Sequence, residues 1–226
     1  MNSRMIASAL MSVTAGTAMM LFPSCEDGIL GSIYDEPEEK SEYGFVQTET
    51  LTGHGTIYIN TSQYTHWVYL DFQEAWAGSV DIISGDPQPE QWDMAVHRYD
   101  VKTNGGAAAM TSWTDIEDFE DSGTMPEDAA FVRDIMTDDV IAVDMSGMMQ
   151  GNIVYAEDWY NPELSRWLDV DTSTMPPIYT RSDNVFVLRL ADGRNIALRL
   201  ENYMDGSGTK GYMTIQYKTL TGEVEL

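Results

Sequence analysis

Between Val185 and Tyr217 apolar residues recur in the way a β-strand requires, and two turn signals break the run. Val185 to Leu190 is almost continuously apolar, as a strand buried on both faces is. Asp192-Gly193 follows, a dipeptide that closes tight hairpins. Ile196, Leu198 and Leu200 then alternate with Ala197, Arg199 and Glu201. Asp205-Gly206-Ser207-Gly208 turns the chain again, and Met213, Ile215 and Tyr217 form a last apolar face. A helix cannot sustain a two-residue period, so this region predicts a three-stranded antiparallel meander.

The rest of the chain agrees with that class. Thr56-Ile57-Tyr58-Ile59 alternates, and Val68, Leu70 and Phe72 share one face of a second strand. Trp92 to Val101 reads as one strand, with Trp92, Met94 and Val96 opposite Asp93, Ala95 and His97. Asn104-Gly105-Gly106-Ala107-Ala108-Ala109 reads as a loop, and residues 127–136 as a short helix. Val140 to Val143 and Asn152 to Glu157 are two strands around the tip 144–151 (DMSGMMQG). Trp167 to Val170 leads to a second tip, Ser173-Thr174-Met175-Pro176-Pro177. The expected class is all-β with a minor helix.

The first residues have a different character. Arg4 precedes an apolar run from Met5 to Phe22, then Pro23-Ser24-Cys25 and a stretch of acids. That layout predicts a signal peptide over 1–24. Cys25 is the only cysteine of the 226 residues, so an internal disulfide is excluded. Its place after the apolar run makes it the expected lipidation site, where each buried methylene contributes roughly 0.8 kcal/mol of membrane affinity. Residues 25–41 then form the lipidated cysteine and a flexible acidic tether, and 42–226 a single β domain. The net charge of −25 excludes the clustered cations that nucleic-acid phosphates need.

Catalytic patterns are missing. His54, His66 and His97 share no zinc-site spacing, and no nucleophile elbow, metalloprotease helix or phosphate loop is present. Methionine stands out instead. Five of the 15 precede Cys25, which leaves ten in the mature region. Met94 and Met213 lie in strand patterns and are expected in the core. Met145, Met148, Met149 and Met175 fall on the two tips, among glycines and prolines. Thioethers there either fill gaps, line an adaptable surface or ligate a soft metal.

Residues 92–104, Trp92-Asp93-Met94-Ala95-Val96-His97-Arg98-Tyr99-Asp100-Val101-Lys102-Thr103-Asn104, resemble the signature of the HmuY-like haem-binding lipoproteins, or haemophores. Trp67 to Phe72, Trp167-Leu168-Asp169, Val185-Phe186-Val187 and Ala191-Asp192-Gly193 support the resemblance, which covers roughly residues 55–218. The resemblance implies an antiparallel β domain with protruding hairpin fingers that hold haem b (iron protoporphyrin IX) as cargo. It implies iron held axially from two fingertips, by histidines in some members and methionines in others. No histidine follows His97, and both tips carry methionine, so Met148 with Met175 are the expected metal ligands, with Met149 and Met145 as rivals for the first place. Tyr155 and Tyr179 are expected at the cofactor, with Trp159 and Tyr160 as further wall candidates. Arg166, Arg181 and Lys102 are candidate partners for its propionates. The resemblance also implies a non-enzymatic protein, lipid-anchored at the outer membrane and exposed at the cell surface or in vesicles. Its partners would be a TonB-dependent haem receptor and host haemoproteins. A glycan or protein ligand on the same scaffold is the alternative.

Overall fold

The computed structural model describes residues 43–49 and 53–220. The signal peptide, Cys25 and the tether lie outside the described residues. In chain order the strands are β1 (Gly44–Glu49), β2 (His54–Asn60), β3 (His66–Asp71), β4 (Trp76–Asp81), β5 (Met94–His97), β6 (Asp100–Thr103), β7 (Ala107–Met110), β8 (Val132–Arg133), β9 (Ile135–Gly147), β10 (Asn152–Tyr160), β11 (Leu168–Asp171), β12 (Ile178–Arg181), β13 (Phe186–Arg189), β14 (Asn195–Met204) and β15 (Lys210–Leu220). One helix, α1 (Ile116–Ser122), lies between β7 and β8.

The predicted meander is present as β13-β14-β15, paired antiparallel through Phe186↔Leu198 and Leu200↔Ile215. It forms the middle of a seven-stranded sheet in the order β1-β2-β15-β14-β13-β7-β8. A four-stranded sheet, β4-β3-β5-β6, packs against it. Ile57, Ile59, Leu198, Leu200, Met213 and Ile215 from the first sheet share one core with Val68, Leu70, Met94 and Val96 from the second. Met94 and Met213 are core residues, as their strand positions predict. The unbroken apolar run of β13 has its reason: Phe186 and Leu188 face this core, while Val185 and Val187 face α1 through Ile116 and Phe119.

Three expectations change. The helix falls at 116–122, not 127–136. Asp115 accepts from the backbone N–H groups of Glu117 and Asp118, and left-handed Gly123 ends the helix, so caps at both ends decide its place. Residues 127–136 instead hold a 3₁₀ turn and the start of β9. Ala107 to Ala109 are not loop but the buried strand β7, set against β13. Small side chains fit there because the backbones approach closely; a Cβ on Gly106 would sit 2.6 Å from the Arg189 carbonyl. Trp92 to Val101 is two strands, not one. β5 and β6 are joined by a turn at Arg98, whose φ is +53°.

That turn is clamped from outside. The Thr61 hydroxyl donates to the Arg98 carbonyl at 2.6 Å. The Arg98 guanidinium donates to the carbonyls of Thr61 and Ser62 and lies 4.4 Å over the Tyr64 ring. His97 is buried, its Nε2 2.7 Å from the Tyr64 carbonyl. The signature residues His97 and Arg98 therefore tie β5 to the 61–64 loop.

Candidate functional site

Two antiparallel ribbons leave this sandwich, β9–β10 and β11–β12, each pairing only with itself. Their roots meet at one buried residue, Asn161. Its amide N–H₂ donates to the Val132 carbonyl at 2.9 Å and to Asp134 at 3.0 Å. Its side-chain oxygen accepts from the backbone N–H groups of Glu163 and Leu164. Asp134, just before β9, also accepts from the Thr103 backbone N–H at 2.6 Å. Trp167, at the start of β11, is fully buried and donates its indole N–H to the Tyr99 carbonyl at 2.8 Å.

A second anchor holds β10. Asp158 accepts from the Trp67 indole N–H at 2.9 Å and from the Lys102 ammonium at 3.0 Å. Ile141 and Ala156 pack on Trp67, Tyr69 and Ala95. The lower part of the ribbon thus covers the outer face of the four-stranded sheet. Lys102 is buried, paired and seated 4.3 Å over the Trp67 ring, so it is not free to meet a ligand's carboxylate. Arg166 is paired with Glu163, and Arg181 with Asp183 and the Leu200 carbonyl.

β9 spends thirteen residues on a ladder that β10 spans with nine. The surplus is taken up at register shifts, which bend and twist the ribbon. At about 3.4 Å per residue, β10 alone extends about 30 Å. The burial pattern of β9 alternates toward its end: Ile141 and Val143 are buried and Met145 half-buried on the same side, while Asp144 and Ser146 are exposed. Met145 therefore continues the inner face of the finger.

The tip explains its glycines. Gly147 pairs with Asn152, and a Cβ there would come 2.3 Å from the Asn152 carbonyl. Met148 to Gln150 form one 3₁₀ turn, closed by the N–H of left-handed Gly151 donating to the Met148 carbonyl at 2.9 Å. The Asp144 carboxylate caps the approach by accepting from the Ser146 N–H at 2.8 Å, which lowers its pKa. The backbone is thus fixed without help from the thioethers. Met148 is 37% exposed and Met149 76%. Tyr155 lies opposite Ala142, three residues along β10 from the tip, and Val154 beside it is also exposed. Trp159 and Tyr160 pair with Met136 and Ile135, at the root rather than the tip.

The second tip follows the same logic on a shorter ribbon. Asp171 accepts from the Ser173 N–H at 2.8 Å, and its pKa is lowered by the bonds to Ser173. Met175 beyond it is 67% exposed. Tyr179, opposite Val170 and one residue into β12 from the tip, is half-buried, stacked on Tyr203 at 5.6 Å and edge-on to Tyr99 at 5.5 Å. Fully burying a methionine side chain is worth about 1.5–3 kcal/mol, so leaving Met149 and Met175 in water forgoes most of that in the free protein. Among the described residues, no group of three or more histidines, cysteines, aspartates or glutamates could hold a metal ion. The donors that the tips do offer are thioethers.

Residues 63–217 match the model of the HmuY protein family. No curated protein matches the chain at a significant level. A crystal structure described as an HmuY-like haem-binding protein, from Bacteroides vulgatus, is 49% identical over 80% of this chain and all of that one, with a TM-score of 0.75. A lipoprotein structure from Bacteroides fragilis is 42% identical over 82% of this chain and all of that one, with a TM-score of 0.76. The apo HmuY analogue of Tannerella forsythia shares the fold at 20% identity, covering 75% of this chain and 96% of that one, with a TM-score of 0.63.

Proposed function

The chain belongs to the HmuY family, and from that premise we propose that it is a haem carrier whose two methionine-bearing fingertips supply the iron ligands. The observation that carries this reading is the exposure of Met148, Met149 and Met175 on two separate, well-braced ribbon ends. The family membership and the 49% identical relative described as haem-binding give the ligand class. Met148 and Met175 are the ligand pair, with Met149 and Met145 the other first-tip thioethers.

The donor set fits the group. Iron in a porphyrin keeps two axial positions, and thioether sulfur is an accepted axial ligand. Sulfur is soft and favours ferrous over ferric iron. Tyr155, exposed on the first finger, and Tyr179, beside the second tip, are the candidate walls for the porphyrin. Residues 1–24 are removed, Cys25 carries the lipid, 25–41 tether the domain to the outer membrane, and 42–226 carry the haem at the cell surface or on vesicles. A TonB-dependent receptor takes the cargo, host haemoproteins supply it, and no bond of the haem is made or broken.

Titration with haemin, followed by absorbance, tests the reading. A saturable one-to-one shift of the Soret band is expected, tighter after dithionite reduction. The Met175→Ala variant should lose the shift, and so should one of Met148→Ala, Met149→Ala or Met145→Ala. Binding unchanged or weakened by reduction, or indifferent to Met175, contradicts thioether ligation.

A further inference from the structure

A cleft opens at the root of the first finger, about seven residues along β10 from the methionine tip. It encloses about 390 Å³ and is lined by Gln88, Trp92, Asn104, Arg133 and Trp159, among others. The Gly105-Gly106 turn, where Gly105 has φ +74°, lines it as well.

Arg133 is exposed and forms no ion pair with a described residue. Its one hydrogen bond is a long one, 3.4 Å to the Gly105 carbonyl. Of the nine other described cations, eight are held by carboxylates or by backbone carbonyls within 3.2 Å, and Lys210 by the Gly208 carbonyl at 3.4 Å; Lys102, which lines the same cleft, is held by Asp158. Two carboxylates line the same cleft, but both are engaged from within. Asp134 accepts from the Thr103 N–H, the Thr103 hydroxyl and Asn161. Asp158 accepts from Trp67 and Lys102. On a chain of net charge −25, the cleft is a locally balanced spot that presents one guanidinium without a carboxylate partner among the described residues.

Trp159 supplies the second element. Its side chain is 49% exposed although it is large and apolar. Across the cleft Trp92 is held edge-on to Tyr69 at 5.1 Å, a rigid wall. An exposed indole face accepts a flat apolar surface, while a guanidinium pairs bidentately with a carboxylate. A sugar ring that bears a carboxylate offers both surfaces. We propose that this cleft binds a carboxylate-bearing sugar residue, by stacking on Trp159 and pairing with Arg133. This site is separate from the methionine tips and stands independently of the haem reading.

The test is a tryptophan-fluorescence titration of the purified full chain with N-acetylneuraminic acid and with glucuronic acid, each against glucose and acetate. A saturable change with either acidic sugar, absent with glucose and acetate, supports the site, and the two acids distinguish which source supplies the ligand. R133Q should weaken it by about tenfold or more, as loss of a charge-assisted pair does, and Trp159→Ala should abolish it. R133Q should leave the haemin titration unchanged, which also shows that the variant is folded. No saturable change with either acid, an equal response to glucose or acetate, or an R133Q protein that binds as the parent does, would overturn the proposal.

Discussion

Arg98 occupies a left-handed turn that side chains rarely adopt, and the surrounding bonds hold it there. Gly211 completes the arrangement: with φ +98°, a Cβ on it would sit 2.7 Å from the Ser62 Cα and 2.9 Å from the Arg98 guanidinium. Gly211→Ala should therefore cost about 2 kcal/mol or more, read as a lower midpoint in urea at unchanged slope. The same hairpin sets a pH response. Burial pushes the His97 imidazole down to about 4, and burial pushes the Asp100 carboxyl up to about 7. A lowered histidine costs stability as pH falls from about 6.5 toward 4, because the unfolded chain binds the proton first. A raised carboxyl costs stability as pH rises from about 4 through 7, because the unfolded chain releases it first. The two oppose each other across that window. Asp100→Asn should be more stable than the parent at pH 8, lose that advantage by pH 4, and show the histidine slope uncovered between. A parent whose thermal midpoint climbs as steeply as the variant's between pH 4 and 6.5 would contradict this. The turn itself was illegible in the sequence, because no glycine, proline or asparagine marks it. The residues that force it, Thr61, Ser62 and Gly211, lie far off in the chain.

At the level of elements, periodicity announced the long buried strands and gave only part of the first finger. The meander was plain because its two faces meet different partners all along its length. β9 was legible only as Val140–Val143, since Ile135 and Met136 at one end and Met145 at the other do not reach a core. β7 hid among alanines and glycines that read as a loop, and its strand character comes from β13 beside it. The tips were legible as turns with methionine, but the glycines serve the backbone there and say nothing of a ligand. What no local pattern contained is the anchor of the first finger. Asp158 holds Lys102, whose side chain is 7% exposed and whose pKa burial lowers. Asp158→Ala strands that charge and should cost about 3 kcal/mol. Hydrogen exchange should then quicken along β9 and β10 while β13 to β15 keep their protection. Replacing Lys102 by Met in the same protein should restore most of the loss; failure to do so would mean that the stranded charge is not the cause.

For the whole molecule, sheet, helix and ribbon roots form a braced body, and the exposed methionines Met148, Met149 and Met175 stand on the ribbon ends that extend from it. That division suits a carrier, which must present its binding groups before cargo arrives. Thioethers do not protonate, whereas a histidine ligand is lost as pH falls past about 6.5. Haem should therefore stay bound from pH 7 to about pH 5, with no release centred near the histidine value. A release midpoint near 6.5 in the Soret absorbance would point to an imidazole ligand instead. The most direct test is a crystal structure of the haem-loaded protein. Iron should be bonded on one side to the sulfur of Met175 and on the other to a methionine sulfur of the 145–149 tip. Iron bonded to any other residue, or haem seated away from the two fingertips, would contradict it.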